Sequence, residues 1–420
     1  MLKFVSIYRN SFAPVFCLIL LCTLPACGLF GQTIWTSDQY LAFETGNENL
    51  PYQNNIDFLN ENAKGMPLID NYEFRTETDE MELARQRYQI RFQFNSSEER
   101  KAYNQILLAN KDKYNWLQSK YQLDKVEERY KNIIDLYFNQ RELEIKIQEL
   151  DLLNDKKVVL ERLLNNDNPG AVGDWISNEN ELLELRSDSL ELELRRKQIA
   201  QKIFLSDRTA PELDGSDWIG VEDMQRVVDD VLDDESAHPD DGLVVAEENM
   251  ANAEYQLEIA QGNKWLEFAQ IEYQSDPDIN FQREVSLGTS IIIPHKNNNR
   301  TRKNETALEL LEKSYETYQE REERKNDLLQ EEALFRDQII QFEDFRSLRE
   351  GQQMESMYDS YESQQLVSPL VLIDIRKLIL SQMDKQLNLE KDIYNTYINI
   401  LTLKAAFLAN PEKNYLKINA

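Results

Sequence analysis

The sequence is poor in residues that break a chain. Among 420 residues only 12 are glycine and 11 are proline, too few for many tight turns, so long uninterrupted elements are favoured. No proline lies between Pro67 and Pro169 or between Pro294 and Pro369, and both gaps are filled mostly with good helix formers. Cysteine is equally scarce. Cys17, Cys22 and Cys27 all lie in the leader described next, which excludes a disulfide framework from the rest of the chain. Basic charge is in deficit, with 47 Lys and Arg against 76 Asp and Glu, a net charge of −29. That excludes a surface built for phosphate backbones and favours an acidic surface or lumen. With two histidines, His238 and His295, and no P-loop, nucleophile elbow or Cys/His metal spacing, the sequence offers no enzyme chemistry and implies no cofactor or metal.

What is present begins with a targeting segment over residues 1–28. Lys3 and Arg9 supply a positive start and Phe12 to Leu24 an apolar stretch, so the protein leaves the cytoplasm. Leu24-Pro25-Ala26-Cys27 is similar to a lipoprotein box, which makes Cys27 a lipidation candidate. Ordinary cleavage after Gly28 or Gly31 fits as well.

A short helix is expected over residues 35–46, capped by Ser37, followed by an irregular Asn-rich stretch over 47–67. Two alternating segments, Tyr72 to Thr78 and Tyr88 to Phe94, predict a hairpin over about 71–95, with Tyr88, Ile90, Phe92 and Phe94 on its apolar face. Apolar residues three and four apart predict a helix over about 96–164, a tip at 165–173 and a return helix over 175–204. An acidic insert over 206–241, with Asp229, Asp230, Asp233, Asp234 and Glu235, reads as solvated; it lacks the spaced ligands of a calcium loop. Helix resumes at about Val244.

The plan then repeats. A second hairpin is expected over 265–293, with Val285, Leu287 and Ile291 on its apolar row. Within its first strand the apolar phase slips between Phe268 and Ala269. A helix over 306–365, a tip at 366–369 and a return helix over 370–409 follow. The chain thus divides into repeats over 29–240 and 242–420. The fold class is mainly α: long antiparallel coiled-coil helices with four β-strands per chain. If those strands enter a bilayer they must close into a barrel, and four cannot close alone, so several copies must share one. A soluble antiparallel coiled-coil protein with small hairpin caps is the plainer alternative.

The junction from Val285 to Glu312 (VSLGTSIIIPHKNNNRTRKNETALELLE), the second tip from Val367 to Gln382 and the first tip from Gly173 to Leu185 resemble, in order and doubling, those of the TolC-family outer-membrane efflux proteins. The resemblance implies a homotrimer with a twelve-stranded β-barrel in the outer membrane of a Gram-negative-type bacterium. An α-helical barrel would cross the periplasm and dock on a periplasmic adaptor protein and an inner-membrane pump or secretion ATPase. It implies aperture acids at Asp174, Glu179 and Asp374, adaptor docking at Val172, Gly173, Val367 and Ser368, and lipid contact for the seven apolar strand residues. Asp174 also suits a helix cap. The sequence departs from the family at Val371, where a second acid is common, and at Phe92 to Asn95, where the apolar-Pro strand end is missing. A periplasmic adaptor and a structural lipoprotein are the rival functions; the two helical hairpins and the lack of Gly-rich β-segments speak against the adaptor.

Overall fold

The computed structural model describes residues 34–43, 50–78, 86–165, 170–204, 212–233, 238–275, 283–291, 300–364 and 368–417. In chain order the elements are β1 (Ile34–Trp35), α1 (Ser37–Phe43), α2 (Gln53–Glu61), β2 (Ile69–Thr78), β3 (Gln86–Phe94), α3 (Ser97–Asn165) and α4 (Ala171–Phe204). They continue with β4 (Glu212–Leu213), α5 (Val221–Leu232), α6 (Pro239–Gly262), β5 (Leu266–Ser275), β6 (Arg283–Ile291), α7 (Arg300–Gln352), α8 (Met354–Gln364), α9 (Pro369–Leu403) and α10 (Ala406–Ala409).

The 69-residue α3 is about 100 Å long at about 1.5 Å per residue. It contains neither Gly nor Pro, and it starts on a reciprocal cap. Ser96 Oγ accepts from the Glu99 N–H at 3.0 Å while the Glu99 carboxylate accepts from the Ser96 N–H, satisfying two donors that the first turn leaves free. On α3 the helices α4, α6 and α9 pack antiparallel. Its N-terminal half lies on α6, held by Lys113 to Glu247 at 2.8 Å and Lys120 to Asp240 at 2.7 Å. Its C-terminal half lies between α4 and α9, with Lys146 reaching Asp384 at 3.4 Å. α7 packs on α6 and on α9. The Trp116 ring of α3 packs onto Gly242 of α6, where an added Cβ would sit 2.1 Å from it.

The main core lies at mid-height, where helices from both repeats meet. Ile134, Leu136 and Phe138 of α3, Phe335 of α7, and Tyr397, Ile400 and Leu401 of α9 are all buried there. Burying each such side chain contributes about 1.5–3 kcal/mol. The insert expected to be solvated completes this core. Leu213, Trp218, Ile219, Met224 and Val228 are buried in it, while Asp229, Asp230 and Asp233 remain exposed. The segment is amphipathic rather than solvated throughout: the acids occupy one side of α5 and the apolar residues the other. The two ends of the described chain clasp at the same level. Asn414 Nδ2 donates to Ser37 Oγ at 2.8 Å, Lys417 pairs with Asp38 and, at 3.1 Å, with Asp217, and the Ile219 N–H donates to the Leu416 carbonyl at 2.8 Å.

Several expectations need correction. Ser37 does not cap α1; it is the first helical residue, fully buried, its hydroxyl taken by Asn414. Residues 47–67 are not wholly irregular, because α2 forms where it can lie on α3, with Tyr52 and Tyr114 rings 6.2 Å apart; tertiary contact overrides the weak helix propensity of Asn. α6 starts at Pro239, whose fixed φ suits a first helical position. The helix expected over 306–365 starts at Arg300 and breaks at Gln353, which has φ 47°, a left-handed conformation unfavourable for a residue with a side chain. Arg349 braces the break, donating to Glu355 beyond it and to Gln386 of α9, both at 2.5 Å. A cleft of ≈ 590 Å³ opens there against α9. The return helix over 370–409 likewise breaks, at Ala405 with φ 50°.

Candidate functional site: a four-stranded wall and the acidic helix ends

The four longer strands form one antiparallel sheet in the order β2, β3, β5, β6, so the two hairpins pair through β3 and β5. Outward of the Ile69–Asn71 and Leu266–Phe268 positions, register is continuous across the sheet. Thr76, Tyr88, Tyr273 and Val285 form one row, Phe74, Ile90, Ile271 and Leu287 the next, and Tyr72, Phe92, Ala269 and Thr289 the third. Because successive side chains alternate, these rows share one face, and the rows between them, such as Arg75, Gln89, Glu272 and Ser286, occupy the other. All seven apolar strand residues singled out from the sequence, Tyr88, Ile90, Phe92, Phe94, Val285, Leu287 and Ile291, fall on the first face. Leu287 is 77% and Val285 71% exposed, large values for side chains of a strand's apolar row.

The phase slip in β5 has a physical cause. Leu266 pairs with Ile291 and Phe268 with Ser290, so Glu267 is an extra residue in a β-bulge. Phe268 therefore turns to the polar face, under the Arg91 guanidinium at 4.1 Å, and Ala269 to the apolar one. β2 carries the matching irregularity, with Asp70 extra between Ile69, opposite Phe94, and Asn71, opposite Gln93. Each repeat thus begins its first strand with an acidic bulge, a feature only the slip in β5 hinted at.

The polar face is charge-paired. Arg87 Nε lies 2.9 Å from Glu272, bridging the two hairpins, and Arg87 is also 3.6 Å from Glu77. Arg75 lies 3.0 Å and Arg91 3.8 Å from Glu73. Among the described residues the sheet is open at both edges: β2 and β6 each have one paired neighbour.

At the far end of the helices the structure places Asp374 and Glu179 beside adjacent lysines of α3. Lys156 Nζ is 3.0 Å from Asp374 on α9, and Lys157 Nζ is 2.7 Å from Glu179 on α4. One dibasic pair thus joins the return helices of both repeats, and Lys377 of α9 adds a contact to Glu181 of α4 at 2.6 Å. No local pattern signals this pairing, because each partner is 20 or more residues away. Asp174 is not brought into it. It does not cap a helix either, since α4 begins at Ala171; it is exposed in the first turn, where a negative charge suits the helix dipole. Val172 is 47% exposed, and Gly173 has open space around it. Ser368 is the N-cap residue of α9, ahead of Pro369. Val367 and Cys27 lie outside the described residues.

His238, within the insert expected to be solvated, is the buried N-cap of α6. Its Nδ1 accepts from the Asp240 N–H at 3.2 Å and its Nε2 lies 3.3 Å from the Thr402 carbonyl, an arrangement that suits the neutral ring. Burial and the nearby Arg324 hold its pKa below the ordinary value, against the pull of Asp240 and Asp241. Among the described residues, no group of acidic, His or Cys side chains is arranged to hold a metal ion, and no helix is long and apolar enough to cross a membrane.

No protein-family model and no curated protein sequence matches the chain. The likeness to known proteins lies in structure. CusC, solved in a study of transmembrane channel formation, superposes with a TM-score of 0.60 at 13% identity, over 88% of this chain and 91% of that one. The outer-membrane channel OprN gives 0.57 at 13% identity, over 88% and 89%. The Campylobacter jejuni outer-membrane channel CmeC gives 0.56 at 10% identity, over 91% and 87%. Four strands in the order β2, β3, β5, β6, joined to doubled long helical hairpins, give this chain the fold of the TolC-family outer-membrane efflux channels.

Proposed function

We propose that the chain is one third of a passive conduit: a homotrimer whose twelve strands close a β-barrel in the outer membrane and whose helices form a tunnel through the periplasm. The observation that carries this reading is the sheet, apolar on one face, charge-paired on the other and open at both edges. In lipid an open edge leaves backbone groups unpaired at several kcal/mol each, and joining β6 of one copy to β2 of the next removes every edge. The apolar face then meets acyl chains and the Arg and Glu face lines the lumen. The helices support the same assembly. Leu308, Leu311, Tyr315 and Tyr318 of α7 are 60–67% exposed at spacings of three and four, and Leu183, Leu190 and Leu194 of α4 are 58–63% exposed, two apolar seams left uncovered by the described residues.

In this reading Asp374, Glu179 and Asp174 stand at the periplasmic aperture, and Val172, Gly173, Val367 and Ser368 meet a periplasmic adaptor that links the conduit to an inner-membrane pump or secretion ATPase. Cys27 is the candidate for a lipid anchor. The conduit performs no chemistry, and its cargo is chosen by the pump.

The test is reconstitution of the mature protein in planar bilayers. Discrete conductance steps from a particle of trimeric mass are expected, with cation preference from the acidic balance. A monomer that leaves the bilayer silent would overturn the proposal.

A further inference from the structure

We infer, on the reading of the sheet as barrel wall, that Cys27 does not tether this chain to outer-membrane lipid. The leader is cut away as an ordinary secretory leader, the mature chain starts within a few residues of β1, and the barrel alone holds it in the membrane. The reason is reach. β1 is fixed at mid-height of the helices: Ile34 pairs with Glu212 and Trp35 with Leu213, and the Leu213 N–H donates to Gln140 Oε1 of α3 at 3.2 Å. The Asp214 N–H donates to the Trp35 carbonyl at 3.0 Å. Just after β1, the buried Ser37 is held by Asn414, whose neighbour Tyr415 donates its N–H to the Tyr130 hydroxyl of α3 at 3.2 Å.

α3 serves as a ruler. Its first residue, Ser97, follows Phe94 on the innermost apolar row of the sheet by three positions, so the acyl chains of the membrane lie at or beyond that level. Gln140 is 43 residues further along α3, about 65 Å away at about 1.5 Å per residue. Cys27 precedes Ile34 by seven residues, which in any arrangement span no more than about 25 Å at about 3.6 Å each. The shortfall of about 40 Å exceeds the hydrocarbon thickness of a whole bilayer, about 30 Å, so acyl chains on Cys27 cannot close it. Peeling β1 away does not help: the stretch back from Ser37 to Cys27 reaches about 35 Å, against about 50 Å from Tyr130 to Ser97. The other end of α3, at Asn165, is about 38 Å from Gln140, so a membrane beyond that end is out of reach as well. An acylated Cys27 would hold its chains in water between the two membranes, or drag the clasp out of the equatorial core, and both are unfavourable.

The test uses the full chain with its own leader, expressed in a bacterium that acylates lipoproteins. Mass spectrometry of the N-terminal peptide from the outer-membrane fraction should show an unacylated start after Gly28 or Gly31, and Cys27→Ser should leave the amount of membrane-held trimer unchanged. A chain that starts at Cys27 and carries a diacylglyceryl group overturns the inference while leaving the barrel reading intact. The reach itself is tested by exchanging residues 1–26 for the leader of an established lipoprotein, so that Cys27 is acylated. Trimer that resists an alkaline wash of the outer membrane should then be lost, and a flexible Gly/Ser spacer of about 30 residues before Ile34 should restore it. Trimer that forms equally well without the spacer, or is not restored by it, overturns the inference. A folded Cys27→Ser chain that washes out of the membrane overturns the barrel reading itself.

Discussion

The two outgoing helices, α3 in the first repeat and α7 in the second, have the same place in the plan and opposite surroundings. α3 packs between α6, α4 and α9 and buries residues along its length, from Ala102 to Leu160. α7 packs mainly on α6 and α9, with Arg336 reaching Asp229 of α5 at 3.4 Å, and its buried residues are Thr317, Phe335, Ile339 and Phe342. Both have the apolar spacing of a coiled coil, so the spacing alone does not say which partner it is for. The difference teaches that α3 folds against its own chain, whereas the outer seam of α7 is exposed among the described residues.

This contrast can be broken at several points. Phe138 on α3 is 1% exposed and packs against Tyr394 with ring centroids 5.5 Å apart. Phe138→Ala should lower stability by about 3–5 kcal/mol in urea unfolding, whereas Leu311→Ala on α7 should change the unassembled chain by no more than about 0.5 kcal/mol. Equal losses would erase the distinction between the helices. The sheet offers the same contrast between its faces. A charge at Leu287, as in Leu287→Arg, should cost about 2–4 kcal/mol of membrane stability, and Ser286→Arg, on the opposite face of the same strand, much less; comparable insertion of the two variants would show that the faces are not divided between lipid and lumen. Leu311→Glu with Tyr315→Glu should leave a folded chain that no longer trimerises, read as monomer mass by light scattering. A trimer that survives would move the subunit seam elsewhere.

Smaller effects are expected at the helix ends and the equator. Replacing both Asp374 and Glu179 with Ala removes the carboxylates paired with Lys156 and Lys157, and leak conductance through reconstituted channels should rise severalfold. Unchanged leak would confine those acids to holding the helices together. His238 gives a pH signature. Its folded pKa lies below the ordinary 6.5, so below about pH 6.5 the unfolded chain takes a proton that the folded one resists, and stability falls as the pH drops through that value. His238→Asn, which retains an N-cap acceptor, should flatten thermal stability between pH 5 and 8 by less than about 1 kcal/mol. A parent already flat over that range would remove the histidine from the account.

Much of this architecture was legible before any coordinates. The hairpins show a period of two and the long helices periods of three and four, and those signals depend only on neighbours a few residues apart. What escaped depends on distance. Met224 and Val228 read as part of an acidic insert until helices from both repeats are seen to cover them. The breaks at Gln353 and Ala405 have no strong local signal beyond Gly351 nearby, since Gln and Ala are ordinary helix formers, and the conformation at Gln353 is held by Arg349 from across the break. The candidate acids Glu179 and Asp374 were found by resemblance, but their partners Lys156 and Lys157 could not be, because a charge on a solvated helix looks the same with or without a counterpart opposite. The phase slip in β5 was legible as an irregularity; that it is a bulge, matched by one in β2, required the register.

The clasp at mid-height sets a timetable. Ser37 and Asp38 meet Asn414 and Lys417, and Tyr130 of α3 accepts the Tyr415 N–H at 3.2 Å. The residues that finish the equatorial core are therefore made after every element they close on. A chain threaded across a membrane from its N-terminus can form each hairpin as it emerges, but it cannot close its centre until residues 414–417 arrive. Until then the exposed apolar seams of α4 and α7 have no rigid frame to present them.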